Sequence, residues 1–203
     1  MYAIVRIIIG GIFFLLGYSL IKKSKSNKKR ALRLVLCIVT TLLITVLSLL
    51  PFENLFITFD SPEEAIEYYN FRKSNIKLIV EGNECDLIVE DIDSDLIYSY
   101  IPKTNNGWKI GVGLNSKTIF HTITSAISVN VFQYRDTTDY FVMIRNHNLK
   151  NADLDLSDNY DSVFYSLEEY DDSLRKLVTY YAHIPNFNSG YTITVNGEKI
   201  VLN

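Results

Sequence analysis

Acidic residues are missing from the first quarter of this chain. Residues 1–51 contain no Asp or Glu, yet eight basic residues fall there: Arg6, Lys22, Lys23, Lys25, Lys28, Lys29, Arg30 and Arg33. All 23 acidic residues lie in 52–203 against the remaining 12 basic ones, so a +8 piece precedes a −11 piece beneath a net charge of −3. A split of that size points to two environments for one chain.

Cysteine is scarce as well. Of the 2 cysteines, only Cys85 lies beyond residue 51, which excludes an intramolecular disulfide there. Cys85 reads as a small buried residue, and Cys37 as a small apolar one. The histidines His121, His147 and His183 are far apart, and no HExxH or CxxC spacing occurs. GxSxG, Walker and SxxK sequences are also missing, and Gly111 with Gly113 gives only GVG. No catalytic residue, metal ligand or cofactor is therefore assigned. The acidic clusters EDIDSD and ADLDLSDNYD lack the central Gly and distal Glu of an EF-hand loop and read as solvated loops.

What the first quarter does contain is apolar length. Ala3 to Ile21 carries one charge, Arg6, and Ala31 to Leu50 carries one, Arg33. Each approaches the roughly 20 residues with which a helix crosses a bilayer. Neither has the polar face of a soluble helix, and VLSLLPF offers no small-x-small cleavage site. The sequence thus predicts a transmembrane hairpin over 1–51, with spans at about 3–21 and 31–50 and a basic loop at 22–30.

Short Lys/Arg-rich loops stay on the cytoplasmic side. Lys22, Lys23, Lys25, Lys28, Lys29, Arg30 and Arg33 would then hold the loop inside and touch anionic membrane lipid. The N-terminus and residues 52–203 would lie outside the cytoplasmic membrane of a bacterium. The run has no aromatic residue on which a base could stack, which argues against nucleic acid. Gly10 and Gly17 share one face of the first helix, and Thr41, Thr45 and Ser48 one face of the second. Small residues of this kind let helices approach closely, so these faces are expected to meet.

Beyond residue 51 the pattern changes to short strands. SPEEAIEYYN predicts a helix over 62–71, with Ser61 as N-cap, Pro62 in the first helical position and Glu64 closing a capping box. Strands are expected at 76–81, 86–91, 96–101, 108–112, 118–124, 127–134 and 140–145. YTITVNGEKIVLN predicts a hairpin around Asn196-Gly197, the favoured pair for a type I′ turn. SLEEYDDSLRKL has a capping box from Ser166 to Glu169 and apolar residues at helical spacing, so a short helix or loop is expected before a strand in VTYYAHI. The fold class expected for 52–203 is α+β, mostly antiparallel and sandwich-like in its second half.

The pieces SPEEAIEYY, EGNECDLIV, YSYIPKTNNGWKI and YTITVNGEKI resemble short motifs of small, mostly uncharacterised envelope-anchored membrane proteins of Gram-positive bacteria. The resemblance implies an extracytoplasmic β-rich domain on a membrane anchor and maps no catalytic residues. Tyrosine is abundant, at 14 residues, and the pairs Tyr68-Tyr69 and Tyr180-Tyr181 place rings at adjacent positions. Tyrosine-rich surfaces suit protein contacts, while core packing is the plainer use. The functional expectation is a membrane-anchored, non-enzymatic binding module for a protein or peptide, in an immunity or assembly role. Its alternatives are an envelope hydrolase with a spatially assembled site, or a structural subunit acting through its helices.

Overall fold

The computed structural model describes residues 2–22, 27–49, 51–70, 72–93, 95–111, 116–123, 127–147, 153–170, 176–188 and 190–202. Two helices come first, α1 (Tyr2–Lys22) and α2 (Asn27–Leu49), and they pack on each other. A β-carbon added to Gly17 would lie 2.9 Å from Cys37 Sγ, and one on Gly10 would lie 3.9 Å from Ile44. The glycine face of α1 therefore meets α2 at Cys37 and Ile44. Thr41 donates its hydroxyl to the Cys37 carbonyl of its own helix at 2.8 Å. The side chains of Thr45 and Ser48 lie outside the described residues, as do Lys23 and Lys25 entirely and the side chains of Lys22, Lys28, Lys29 and Arg30.

The membrane expectation is corrected here. Among the described residues no helix is long and apolar enough to cross a membrane. The charges explain why. Much of the basic stretch is not a loop but the first turns of α2, which begin at Asn27 and include Lys28, Lys29, Arg30 and Arg33. Its uncharged part runs only from Leu34 to Leu49, about 24 Å of helix, and that of α1 from Ile7 to Ile21, about 22 Å. A hydrocarbon core is about 30 Å thick. The two-span hairpin, the integral-membrane location and the inside–outside topology drawn from it are accordingly overturned. The outer faces of the pair are nonetheless apolar and exposed, with Leu15, Leu32 and Leu36 each more than three-fifths accessible. Exposed apolar area of this kind marks a contact surface.

After a short 3₁₀ turn at Phe52–Leu55 comes α3 (Pro62–Asn70). Ser61 Oγ accepts the Glu64 N–H at 3.2 Å, and the Glu64 carboxylate accepts the Asp60 N–H at 3.2 Å, so the predicted cap forms one residue wider than a strict box. The strands that follow are β1 (Ile76–Val80), β2 (Cys85–Ile92), β3 (Asp95–Thr104), β4 (Gly107–Trp108), β5 (Ser116–Ile123), β6 (Ile127–Tyr134), β7 (Asp139–Asn146), β8 (Leu156–Asp158), β9 (Tyr165–Tyr170), β10 (Lys176–Pro185), β11 (Thr192–Val195) and β12 (Glu198–Val201). All pair antiparallel, in three sheets ordered β1-β2-β3-β4, β5-β6-β7-β10-β9 and β12-β11-β8.

These sheets stack in layers, and the period-2 alternation of strand side chains shows how. On β7, Val142 and Ile144 face one core, shared with Tyr191, Ile193 and Val195 of the C-terminal hairpin region. Phe141 faces the opposite way, with Tyr181, onto Val80, Cys85, Leu87 and Val89 of the first sheet. The five-stranded sheet is therefore covered on both faces. The first sheet is itself covered on its far side by α3, where Ala65, Ile66, Ile88, Ile101 and Ile110 form a third core. Strand β2 lies between two of these cores, so every residue from Cys85 to Glu90 is buried, Asp86 and Glu90 included.

Two local expectations resolve differently from each other. The Asn196-Gly197 turn has positive φ at both residues, 50° and 84°, as its hairpin requires. The segment expected to begin a helix at Ser166 is instead strand β9, paired residue for residue with β10 from Tyr165↔Tyr181 to Tyr170↔Lys176. Pairing with β10, which nothing local signals, overrides the helical spacing of its apolar residues.

The close approach of α1 and α2 yields a direct check. In Gly17→Cys the new thiol should oxidise with Cys37 to an intramolecular disulfide, seen as a reducible gel shift. Gly11→Cys should not, since a β-carbon added there would meet nothing within 4 Å.

Candidate functional site

The first sheet is fastened to the five-stranded sheet by one carboxylate. Asp139 opens β7 and is fully buried. Its Oδ1 accepts the Asn83 N–H at 3.0 Å, and its Oδ2 accepts the N–H of Glu84 at 2.6 Å and of Cys85 at 2.9 Å. His183 Nε2, from β10, lies 2.8 Å from Oδ1 and must be the donor, since a carboxylate only accepts. The return contact comes from Glu84, whose Oε1 accepts the backbone and hydroxyl protons of Thr138, each at 3.2 Å. Gly82 makes the approach possible: a β-carbon there would overlap the Cys85 carbonyl and press on Asp139 and Phe141. Burial alone would raise the Asp139 carboxyl, but the hydrogen bonds from His183 and the three amides outweigh it and hold it below its ordinary 3.8.

This cluster joins a cysteine, a histidine and an aspartate that are scattered in the sequence, so nucleophilic chemistry has to be weighed. A reactive thiol needs a lowered pKa and a base beside it. Cys85 has the opposite surroundings. Burial pushes its thiol up, and the negative charges of Asp139 and Asp86 push it further. The imidazole is bonded to the carboxylate, and the carboxylate sits next to the thiol, so the order of a Cys–His pair is reversed. The arrangement is a clasp between two sheets.

The other polar residues weighed from sequence are used locally. His121 bonds Asn130 across the β5–β6 ladder, and His147 Nε2 lies 3.1 Å from Ser128 Oγ. Asp158 accepts the N–H groups of Tyr160 and Ser162 and the Tyr191 hydroxyl, the last at 2.7 Å, which pins the β8 end to the hairpin. Asp91 is 3.3 Å from Lys77. Among the described residues no group of three or more His, Cys, Asp or Glu could hold a metal ion.

A different feature has the shape of a site. Beside β3 lies a cleft of about 250 Å³, lined on one flank by Ile66 and Tyr69 of α3 and on the other by Phe132, Phe141, Met143 and Tyr181 of the five-stranded sheet. Tyr98, Ser99, Tyr100 and Ile101 form its floor. The tyrosine pairs split around it. Tyr68 packs on Phe59 with ring centroids 5.3 Å apart, while its neighbour Tyr69 lines the cleft. Tyr180 faces the opposite core and accepts the Leu154 N–H at 2.8 Å, while Tyr181 faces the cleft, its hydroxyl 3.3 Å from that of Tyr98. Burial pushes the Tyr100 phenol up, so it stays neutral and able to donate.

Among the described residues no strand pairs with β3 from Leu96 to Ile101 on the side away from β2. Among the described residues β4 pairs with β3 only at Lys103 and Thr104. The expected strand at 108–112 stops at Trp108 for an identifiable reason. Phe59 forms a bridge to Trp108 from the other side, and Asn54 takes both backbone groups of Ile110, accepting its N–H at 2.8 Å and donating to its carbonyl at 3.0 Å. Gly111, the next residue, still lies against the Tyr100 carbonyl of β3, where an added β-carbon would overlap it. The tyrosine pairs are a signal visible in the sequence, whereas the hold of Asn54 on Ile110 leaves no local trace.

No protein-family profile, curated protein or solved structure matches this chain.

The clasp generates three expectations. Asp139→Asn should lower stability by about 3 kcal/mol in urea unfolding, because hydrogen bonds to a buried charge are lost. A carboxyl held below its ordinary value stabilises above that value and loses its effect as pH falls through the folded pKa. The margin of wild type over Asp139→Asn should therefore be constant above the ordinary 3.8 and shrink on further acidification. In a Cys37→Ser background, Ellman's reagent should leave Cys85 unmodified in the folded protein and react only on unfolding.

Proposed function

We infer that the sheet-rich region is a non-enzymatic binding module for a protein or peptide partner, and that the cleft beside β3 is where the partner sits. One observation carries this reading: aromatic rings from three separate elements, α3, β3 and the five-stranded sheet, converge on a single cleft. Tyrosine and other aromatic side chains supply large contact area at low entropic cost, and hot spots gather in such places. Apolar walls with a few hydroxyl groups, here Tyr98, Tyr100, Ser99 and Ser116, are the general make-up of a recognition site. The clasp supports the reading too, since two sheets fixed against each other give a preformed cleft and lower the ordering cost of binding.

The test is selection of random displayed peptides on the full chain, followed by calorimetry with the synthetic winners. Tyr69→Ala and Ser116→Trp, the second filling the cleft, should each weaken binding about tenfold or more. Val163→Ser, at an exposed position away from the cleft, should not. Recovery of no peptide, or of peptides indifferent to both cleft variants, contradicts the reading.

A further inference from the structure

We propose that the junction between the end of α3 and the β1–β2 pair binds a divalent cation, Ca²⁺ by its chemistry, through the carboxylates of Glu90 and Glu67 and the side-chain oxygens of Asn70 and Ser74. Three carboxylates are buried among the described residues: Asp86, Glu90 and Asp139. Two of them are satisfied. Asp139 has its four donors. Asp86 accepts the Gly82 N–H at 3.1 Å and the Trp108 indole N–H, and the Lys103 ammonium lies 3.7 Å away. Glu90 differs. It is 1 % exposed, yet its one donor is the Asn70 amide, which stands 3.4 Å from each oxygen. No Lys, Arg or His among the described residues pairs with it. Desolvating a carboxylate is costly, and buried charges are paired or bound to metal.

The groups around Glu90 offer oxygen rather than protons. Side chains of β2 alternate, so Glu90 shares the α3-facing side of the sheet with Ile88. Glu67 and Asn70 stand one turn apart on α3, whose last carbonyls carry the negative end of the helix dipole. Glu67 Oε1 accepts the Ser74 N–H at 3.2 Å. Ser74 stands two residues before Ile76, the register partner of Glu90, and the Asn75 carbonyl accepts the Asp91 N–H at 2.9 Å. The strand alternation therefore puts Ser74 on the Glu90 side. A second observation points to the same place: the Ser74 hydroxyl is closed off from solvent and has no hydrogen-bond partner. Arg72 and Lys73, the nearest cations along the chain, are exposed. An orphaned hydroxyl beside an under-donated carboxylate calls for a cation. Carboxylate, amide and hydroxyl oxygens are the ligands of Ca²⁺, and two carboxylates match its charge. The Asn70 amide has only to turn over to present its oxygen in place of its nitrogen. A bound ion fixes the last turn of α3, which carries Tyr69 of the cleft, whatever the cleft itself binds.

The test uses the full chain, stripped with EDTA and titrated with CaCl₂ while the heat of binding and the melting temperature are followed. Ca²⁺ should bind wild type and raise its melting temperature. Glu90→Gln should lose both effects. Without Ca²⁺ it should melt no lower than wild type, because the substitution removes a buried charge with a single donor. Glu67→Gln, at a half-buried position, should weaken Ca²⁺ about tenfold or more and leave the metal-free melting temperature unchanged. Asp93→Asn, at an exposed turn, should bind Ca²⁺ as wild type does. Neither heat nor a melting shift with Ca²⁺ overturns the proposal. A Ca²⁺ effect that survives in both Glu90→Gln and Glu67→Gln overturns it too, since the ion then sits elsewhere. So does a metal-free Glu90→Gln that melts well below wild type or fails to fold, since the carboxylate is then satisfied within the fold.

Discussion

One buried carboxylate holds the architecture together. Asp139 receives four donors, three of them consecutive backbone amides in the turn between β1 and β2 and the fourth the imidazole of His183. A carboxylate that is desolvated but fully hydrogen-bonded escapes the large cost of a lone buried charge. Here it also ties elements more than 40 residues apart in sequence. The first sheet cannot shift on the central one without exposing or orphaning these groups. The core between the sheets, built from Val80, Cys85, Leu87, Phe141 and Tyr181, supplies the apolar area that the clasp keeps in register.

The cleft follows from that fixed relation. Its two walls belong to layers that the clasp and the shared core hold apart at a set spacing, and its floor is the edge of β3. Phe59 and Asn54 hold the chain at Trp108 and Ile110 beside that floor.

Much of the local structure was legible in the sequence, for physical reasons that are themselves local. The Asn196-Gly197 turn is fixed by a conformational preference of two adjacent residues, and the α3 start by a cap within four. The strands announced themselves by β-branched and aromatic runs. What misled was where local signals compete with distant partners. Ser166 to Leu177 carries helical spacing, yet β10 recruits its first part as a strand. The apolar N-terminal quarter suggested two membrane spans, but the helices keep Arg6, Lys22 and the basic first turns of α2 within their length, and their uncharged parts are too short. The clasp was invisible, because Cys85, Asp139 and His183 share no spacing motif, and so was the hold of Asn54 on Ile110 across 56 residues. The tyrosine pairs were a usable hint; only the strand parity showed which ring of the Tyr180-Tyr181 pair faces the cleft.

The most direct measurement of the central claim is native-state hydrogen exchange at the β1–β2 turn. If Asp139 fastens the two sheets, the amides of Asn83, Glu84 and Cys85 should be as protected as those of Val142 and Ile144 at the centre of β7, exchanging only on global unfolding. Exchange of those three amides at the rate of an exposed turn, with β7 still protected, would contradict it.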